Sequence, residues 1–289
     1  MNIMKQYLIT IAYDGSRYHG WQRLTNQPET IQEIIENALS SYTSENIRIN
    51  GSGRTDAGVS ALAQTADFYC KCNIETTTFL QEINQSLPSD IRITSIRSIK
   101  PVSAQKAFHA RKSAAEKHYR YSIALTAKGN PFTFKKVYNM TDVPIKLKES
   151  AYHNNSGSSC TDKYRLPVVQ LNTHAMRKCA EYLCGTHDFT SFTTDKNMGK
   201  SHVRTINKID ITITGSIYPV LCLEFYGEGF LYNMVRILSG TILSAGLGRL
   251  NPEHIPEIIN SKKRSSAGPT LPSNGLTLVS VKYDDNAFA

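Results

Sequence analysis

A glycine-framed loop at residues 51–58, with the sequence GSGRTDAG, carries the residues of this chain that are best suited to chemistry. Its three glycines allow sharp turns and a close approach of the backbone to a ligand. Among them stand a cation, Arg54, and a carboxylate, Asp56. A neighbouring guanidinium favours the ionised form of an aspartate, so Asp56 could act as a nucleophile or a base. The alternative from spacing alone is a surface turn that contains a local ion pair.

Arg236 is a second charged residue that needs an explanation, because it lies inside an apolar helical pattern at residues 231–247. A buried guanidinium requires a carboxylate or phosphate partner. Asp56 is the candidate partner that matters most for function. An ion pair with Arg236 would lower the pKa of Asp56 and keep it ionised at neutral pH.

Aromatic and basic residues alternate at residues 108–112, FHARK, and at residues 117–121, KHYRY. Cations contact phosphates and aromatic faces stack on bases, so this pattern favours RNA binding. On a strand, Tyr119 and Tyr121 would share one face, with His118 and Arg120 on the other. The alternative is a strand with a buried aromatic face and a solvated basic face.

The composition predicts a globular protein with a polyanionic partner. The chain is 40% hydrophobic, its net charge is +9 and its pI is near 9.2. No apolar run could cross a bilayer, and the first residues do not form a signal peptide, so we expect a cytoplasmic protein. We expect its six cysteines to be reduced thiols. Cys70 and Cys72 share a strand face, and no cysteine pair has zinc-finger spacing, so we expect no structural zinc.

The elements that must position these residues follow a recognisable order. Strand patterns at residues 7–12, 47–50, 65–70 and 91–96 enclose two helical patterns, one after Thr30 and one at residues 77–85. Thr30 with Glu33 completes a helix-capping box. We assign the apolar stripe of the first helix, Ile31, Ile34, Ile35 and Ala38, to the core. The order of strand, helix, strand, strand, helix, strand is typical of a ferredoxin-like unit.

The second half repeats this order. We expect a strand at 114–125, a helix capped by Asn172, a hairpin of strands at 206–214 and 220–226, helices at 231–247 and 252–260, and a last strand at 275–283. We therefore expect an α+β fold of two ferredoxin-like or RRM-like domains, residues 1–107 and 108–289. They would share a central, mainly antiparallel sheet, with an active-site cleft between them. A mobile insertion is expected near residues 145–166.

These residues fall into motifs that resemble the tRNA pseudouridine synthase A (TruA) family. The motifs run in family order over nearly the whole chain and are specific in combination. They are YDG at 13–15, GWQ at 20–22, TIQ at 30–32, GRTDAGV at 53–59, FHAR at 108–111, KHYRY at 117–121, GTHDFTSF at 185–192, VRTI at 203–206, FLYNMVR at 230–236, TLP at 270–272 and GL at 275–276.

The resemblance implies an isomerase that converts uridine to pseudouridine at positions 38–40, in the anticodon stem-loop of tRNA, without metal or cofactor. It also implies a homodimer in which both subunits contact one tRNA. The catalytic aspartate falls on Asp56 and the arginine of its motif on Arg54, which would hold the flipped nucleotide. The active-site tyrosine falls on Tyr119, the arginine that pairs with the aspartate on Arg236, and the apolar residue beside the base on Leu276.

Two departures from the family pattern stand out. Ser60 occupies a position where the family usually has histidine, and the segment at residues 145–166 is longer than expected.

Three alternatives stay open: an RNA-binding protein without catalysis, a metal-dependent nuclease, and a synthase of the same family that acts on another RNA. A nuclease would need several clustered carboxylates, whereas the glycine-framed loop supplies one.

Overall fold

The computed structural model describes residues 4–25, 29–99, 107–126, 129–140, 169–195, 199 and 201–288. The insertion expected near residues 145–166 lies outside these residues. The described residues form a mixed α/β fold with five α-helices and mostly antiparallel strands, which agrees with the expected class. Among those residues, no helix is both long and apolar enough to span a membrane.

The packing of the chain divides it into two compact units. The first unit contains residues 1–119 and 277–289, and the second contains residues 120–276. The boundary expected after residue 107 stays a prediction from the sequence.

The first unit follows the predicted order of elements. These are β1 (Lys5–Tyr13), α1 (Ile31–Thr43), β2 (Ile49–Gly51), β3 (Ser60–Cys70), α2 (Thr76–Ser86) and β4 (Ile91–Ile99), joined by most of β10 (Leu276–Tyr283). The strand order is β4-β1-β3-β10, and β2 also pairs with β3. β1 is antiparallel to both β3 and β4, whereas β10 is parallel to β3.

Helix α1 begins where its cap was predicted. The side chain of Thr30 accepts a hydrogen bond from the amide of Glu33, which satisfies one of the free donors of the first turn. Its buried apolar face consists of Ile31, Ile35 and Leu39, each 0% exposed. Full burial of such a side chain contributes about 1.5–3 kcal/mol to stability. The predicted stripe was wrong in detail, because Ile34 and Ala38 lie at the edge of this face and are half-buried.

The second unit contains the end of β5 (Ala114–Ala124), then β6 (Tyr138–Asn139), α3 (Thr173–Leu183), β7 (Gly185–Asp188), β8 (Val203–Thr214), β9 (Val220–Gly227), α4 (Met234–Gly246) and α5 (Ile255–Ser261). Strands β7, β8 and β9 form an antiparallel run, which includes the predicted hairpin of β8 and β9. The predicted Asn172 cap is confirmed, since its side chain accepts from the amide of Ala175. Helix α4 starts later than the pattern from residue 231, because Asn233 adopts a left-handed conformation at φ 59°.

Candidate active site

The glycine-framed loop connects β2 to β3 and is held at its base by buried polar groups. The side chain of Gln64 accepts from Ser52 Oγ at 2.6 Å and donates to the carbonyl of Gly53 at 2.9 Å. Lys117 Nζ donates to the carbonyl of Ser52 at 2.7 Å. Because the buried base is hydrogen-bonded at each of these points, the loop presents its side chains from a fixed backbone.

The segment that precedes α1 packs directly against the same loop. The amide of Trp21 donates to the carbonyl of Thr55 at 3.0 Å, and the Tyr13 hydroxyl is 2.7 Å from Thr55 Oγ1. Gly20 has φ +89°, and a Cβ at this position would lie 2.8 Å from the carbonyl oxygen of Thr55. A larger residue would therefore be strained in conformation and would push the loop away.

Asp56 and Arg54 occupy different environments on this loop. Asp56 is half-buried and Arg54 is exposed. No ion pair within 4.0 Å joins the two side chains, both of which belong to the described residues, so the local pair suggested by their spacing is absent. Thr55 lies between them and is buried by its bond to Tyr13.

Tyr119 lies beside the loop in the first unit. Its side chain is 7% exposed, and a Cβ built on Gly53 would lie 3.5 Å from its hydroxyl oxygen. Burial raises the pKa of Tyr119 well above 10, and the charges of Tyr13 and Asp56 raise it further. The phenol therefore keeps its proton at neutral pH, so it can donate a hydrogen bond or stack but cannot act as a base.

Strand β5 alternates as predicted, with an additional cation on the buried face. Tyr119 and Tyr121 are buried, whereas His118 and Arg120 on the opposite face are half-buried. Lys117 is also buried, at 8% exposure. The sequence analysis missed its role in holding the loop, although its position two residues before Tyr119 places it on the same face.

Arg236 lies in the first turn of α4, in the second unit, and is half-buried. Its Nε donates to the carbonyl of Leu271 at 2.6 Å, and its Nη1 donates to Asn233 Oδ1 at 2.7 Å. Both acceptors are neutral, so they orient the guanidinium without cancelling its charge.

The segment that follows Leu271 brings a tyrosine and an apolar residue near each other in the second unit. The Tyr121 hydroxyl donates to the carbonyl of Pro272 at 2.8 Å. A Cβ on Gly275 would lie 2.8 Å from Cζ of Tyr121, so the backbone passes directly over the ring. Leu276 follows as the first residue of β10 and is 7% exposed. Burial raises the pKa of Tyr121 far above its ordinary value, and the charge of Arg236 opposes this shift in part.

A basic pocket of about 450 Å³ opens beside the glycine-framed loop within the first unit. Its lining includes Trp21, Arg54, His109, Arg111 and Lys112. Within the described residues, none of the three permanent cations of this lining forms an ion pair, and the lining includes no carboxylate. An anion such as a phosphate would therefore meet positive charge without competition.

Two cations of this pocket, Arg111 and Lys112, come from a loop at residues 108–113, here called the basic loop, which is held by a buried carboxylate. Asp67 is 1% exposed and accepts from the amide of Ala110 at 2.7 Å, from Gln6 Nε2 at 2.9 Å and from Asn50 Nδ2 at 3.3 Å. These bonds fix the backbone from which the basic side chains project. The sequence analysis noted the basic residues of this loop but missed Asp67.

Ser60, the departure from the family pattern, has a structural bond in this chain. Its Oγ accepts from the amide of Gly15 at 3.1 Å. A Cβ on Gly15 would lie 1.9 Å from the carbonyl oxygen of Val59, so the turn after β1 passes very close to the start of β3. The serine hydroxyl thus ties these two backbones together.

Comparisons with known proteins agree with this arrangement of residues. The family model of tRNA pseudouridine synthase matches residues 9–111 and 179–284. The chain is 40% identical over 282 residues to tRNA pseudouridine synthase A of Caldicellulosiruptor saccharolyticus and 39% identical over 282 residues to that of Caldicellulosiruptor bescii. It is 36% identical over 280 residues to the same enzyme of Acetivibrio thermocellus. Each alignment covers 97% of this chain and 100% of the relative. The chain therefore belongs to the tRNA pseudouridine synthase A family.

Proposed function

We propose that this chain is a tRNA pseudouridine synthase that isomerises uridine at positions 38–40 of the anticodon stem-loop. The observation that carries the proposal is the glycine-framed loop, which holds Asp56 half-buried beside the protonated phenol of Tyr119. Membership of the family and the basic pocket next to the same loop support tRNA as the substrate.

The reaction breaks the bond between N1 of uracil and C1′ of the ribose and forms a bond between C5 and C1′. The proton on C5 leaves, and N1 gains a proton. We propose that Asp56 starts this exchange as a nucleophile or a base, at C1′, at C6 or through loss of a proton at C2′. Tyr119 stacks on the base or donates a proton to it, and its raised pKa supports the neutral form that both roles need.

The remaining site residues have supporting roles in this proposal. Arg236 pairs with Asp56 and keeps it ionised, and the neutral acceptors that orient its guanidinium are consistent with a charged partner. Leu276 closes the base pocket against water. Arg54 holds the flipped nucleotide, which its place in the lining of the basic pocket supports.

The proposal also covers the domain arrangement, the assembly and the cellular location of the protein. Residues 1–107 and 108–289 form two ferredoxin-like domains that share one mainly antiparallel sheet, with the active-site cleft between these domains. Two chains form a homodimer around one tRNA in the cytoplasm, and the reaction uses no metal and no cofactor. The resemblance and the strand–helix order of the first unit support these features, and sedimentation with and without tRNA would measure the assembly.

The decisive experiment compares Asp56→Asn with the wild-type chain on tRNA labelled with tritium at C5 of uridine, which is released as pseudouridine forms. We expect Asp56→Asn to lose roughly 10⁴-fold in rate, since the proposed reaction begins at this carboxylate. Asp284→Asn, an exposed aspartate of the same unit, is the matched control and should retain full activity. Carbodiimide mapping of the product locates the modified positions.

Each alternative has its own result in this experiment. Wild-type activity in Asp56→Asn would overturn the catalytic assignment. Tight tRNA binding without tritium release by the wild-type chain would favour an RNA-binding protein without catalysis. Modification of another RNA in the mapping experiment would keep the reaction and replace the substrate.

A further inference from the structure

Two thiols and a carboxylate converge at the end of β3 that is opposite to the glycine-framed loop. Cys70 is the last residue of β3 and is fully buried, whereas Cys72 is half-buried. Their Sγ atoms are 3.3 Å apart. A carboxylate oxygen of Glu45 completes the group, and all three ligand atoms lie within 4.8 Å of one another. One ion could therefore contact all three.

The backbone holds the carboxylate of this cluster in place. Glu45 follows α1, and its Oε1 accepts from the amides of Lys71 at 2.9 Å and Cys72 at 3.1 Å. Cys70 is fixed on the other side by its pairing with Lys5 on β1. The donors are thus positioned before any ligand arrives, which lowers the entropic cost of binding.

Within the described part of the chain, no basic side chain neutralises the carboxylate of this cluster. No lysine or arginine of the described residues forms an ion pair with Glu45. A metal cation would offset the charge of this carboxylate and would take the two sulfurs as ligands once they lose their protons.

We propose that Cys70, Cys72 and Glu45 bind a thiophilic divalent cation of the zinc class. Zinc takes thiolate and carboxylate ligands in four-coordinate sites, and three protein donors leave one position for water. Two sulfur donors out of three exclude magnesium and calcium, which prefer oxygen. Both thiol protons pass to solvent as the sulfurs coordinate the metal.

The site would stabilise the protein and would not take part in the isomerisation. It joins the residue that follows α1 to the end of β3, and an ion that binds only the folded chain raises its stability. Strand β3 has 11 residues, so the cluster lies roughly 30 Å along the strand from Ser60, the end of β3 that follows Asp56 and the rest of the glycine-framed loop. The sequence analysis found no zinc-finger spacing, because Cys-x-Cys is too short and Glu45 is far away in the chain.

The test titrates the reduced, chelator-stripped full chain with Cd²⁺, whose thiolate complexes absorb in the ultraviolet. We expect a charge-transfer band that saturates at one equivalent per chain. Cys72→Ser should abolish the band, and Glu45→Gln should weaken binding about tenfold. Cys222→Ser, a half-buried cysteine of the second unit, is the matched control and should bind as the wild type does.

A second set of measurements uses the wild-type chain, so the proposal can be tested even if a variant folds poorly. In the wild-type chain, Zn²⁺ should raise the midpoint of thermal unfolding and slow alkylation of Cys72, but not of Cys222, as read by peptide mass spectrometry. Pseudouridine formation by Cys72→Ser should equal that of the wild type. A band of wild-type strength in Cys72→Ser, its loss in Cys222→Ser, or an unfolding midpoint that Zn²⁺ does not change would overturn the proposal.

Discussion

Two loops of the first unit are each supported by a buried side chain of β3, and only one of them carries a carboxylate. The glycine-framed loop rests on Gln64, and the basic loop rests on Asp67, both of them buried side chains of β3. Gln64 both accepts from a hydroxyl and donates to a carbonyl. The carboxylate of Asp67 only accepts hydrogen bonds, from two side-chain amides and one backbone amide. One strand therefore supports both loops through hydrogen-bond partners of different kinds.

The two loops, which rest on different buried side chains, also differ in how their charged side chains are exposed to solvent. The glycine-framed loop holds the carboxylate of Asp56 half-buried, where its environment can control it. The basic loop exposes Arg111 and Lys112, where they remain hydrated and can meet a polyanion. We infer that the first support serves catalysis and the second serves substrate binding, and four substitutions test this division.

The largest effect on stability is expected from Asp67→Ala. This change removes the acceptor of the buried amides of Gln6 and Ala110 and of the exposed side chain of Asn50. We expect the free energy of unfolding to fall by about 4 kcal/mol, measured by urea denaturation. Affinity for tRNA should fall with it, because the basic loop loses its anchor. A loss below about 1 kcal/mol would mean that water replaces the carboxylate.

A smaller effect on stability is expected from Gln64→Ala, because the bonds lost are between neutral groups. The free energy of unfolding should fall by about 2 kcal/mol. The catalytic rate should fall much more than the affinity for tRNA, since the loop that carries Asp56 loses its base. Single-turnover rates and filter binding separate the two quantities. An equal loss of rate and affinity would contradict the division between the loops.

The smallest effect on stability is expected from Arg111→Ala and Lys112→Ala, since both side chains are exposed. Each should reduce the slope of log affinity for tRNA against log salt by about 0.7–0.9, the contribution of one phosphate contact. Arg17→Ala is the matched control, because Arg17 is an exposed cation of the same unit that already pairs with Asp90. An unchanged slope in both variants would remove the basic loop from the tRNA interface.

Much of the fold could be predicted because its signals are local. The Thr30 and Asn172 caps, the hairpin of β8 and β9 and the order of the first unit depend on residues that are close in the chain. The errors came from tertiary contacts. Ile34 fits the helical period, yet only the packing of α1 decides which of its isoleucines lies at the centre of the face.

The features of the candidate site also fall into those that local sequence patterns predicted and those that depend on tertiary contacts. The motifs around Asp56 and Arg236 were readable from the chain, because glycines and a charge in an apolar pattern are conspicuous. The alternative interpretation of the loop, a turn with a local ion pair of Arg54 and Asp56, does not match the structure, and the pairing of Arg236 with Asp56 stays a prediction. The support of the loop by Lys117 was not predicted, because its partner, the carbonyl of Ser52, is 65 residues away.

The sequence by itself determined the family, the order of elements and the chemical types of the site residues, because these depend on residue identity and short spacings. The tertiary structure alone decided which buried group supports which loop and which donors share one site. Asp67 meets Ala110, and Glu45 meets Cys70 and Cys72, across gaps in the chain that no local pattern spans. The physical reason is that strand register sets these contacts, and register depends on the burial of the whole unit.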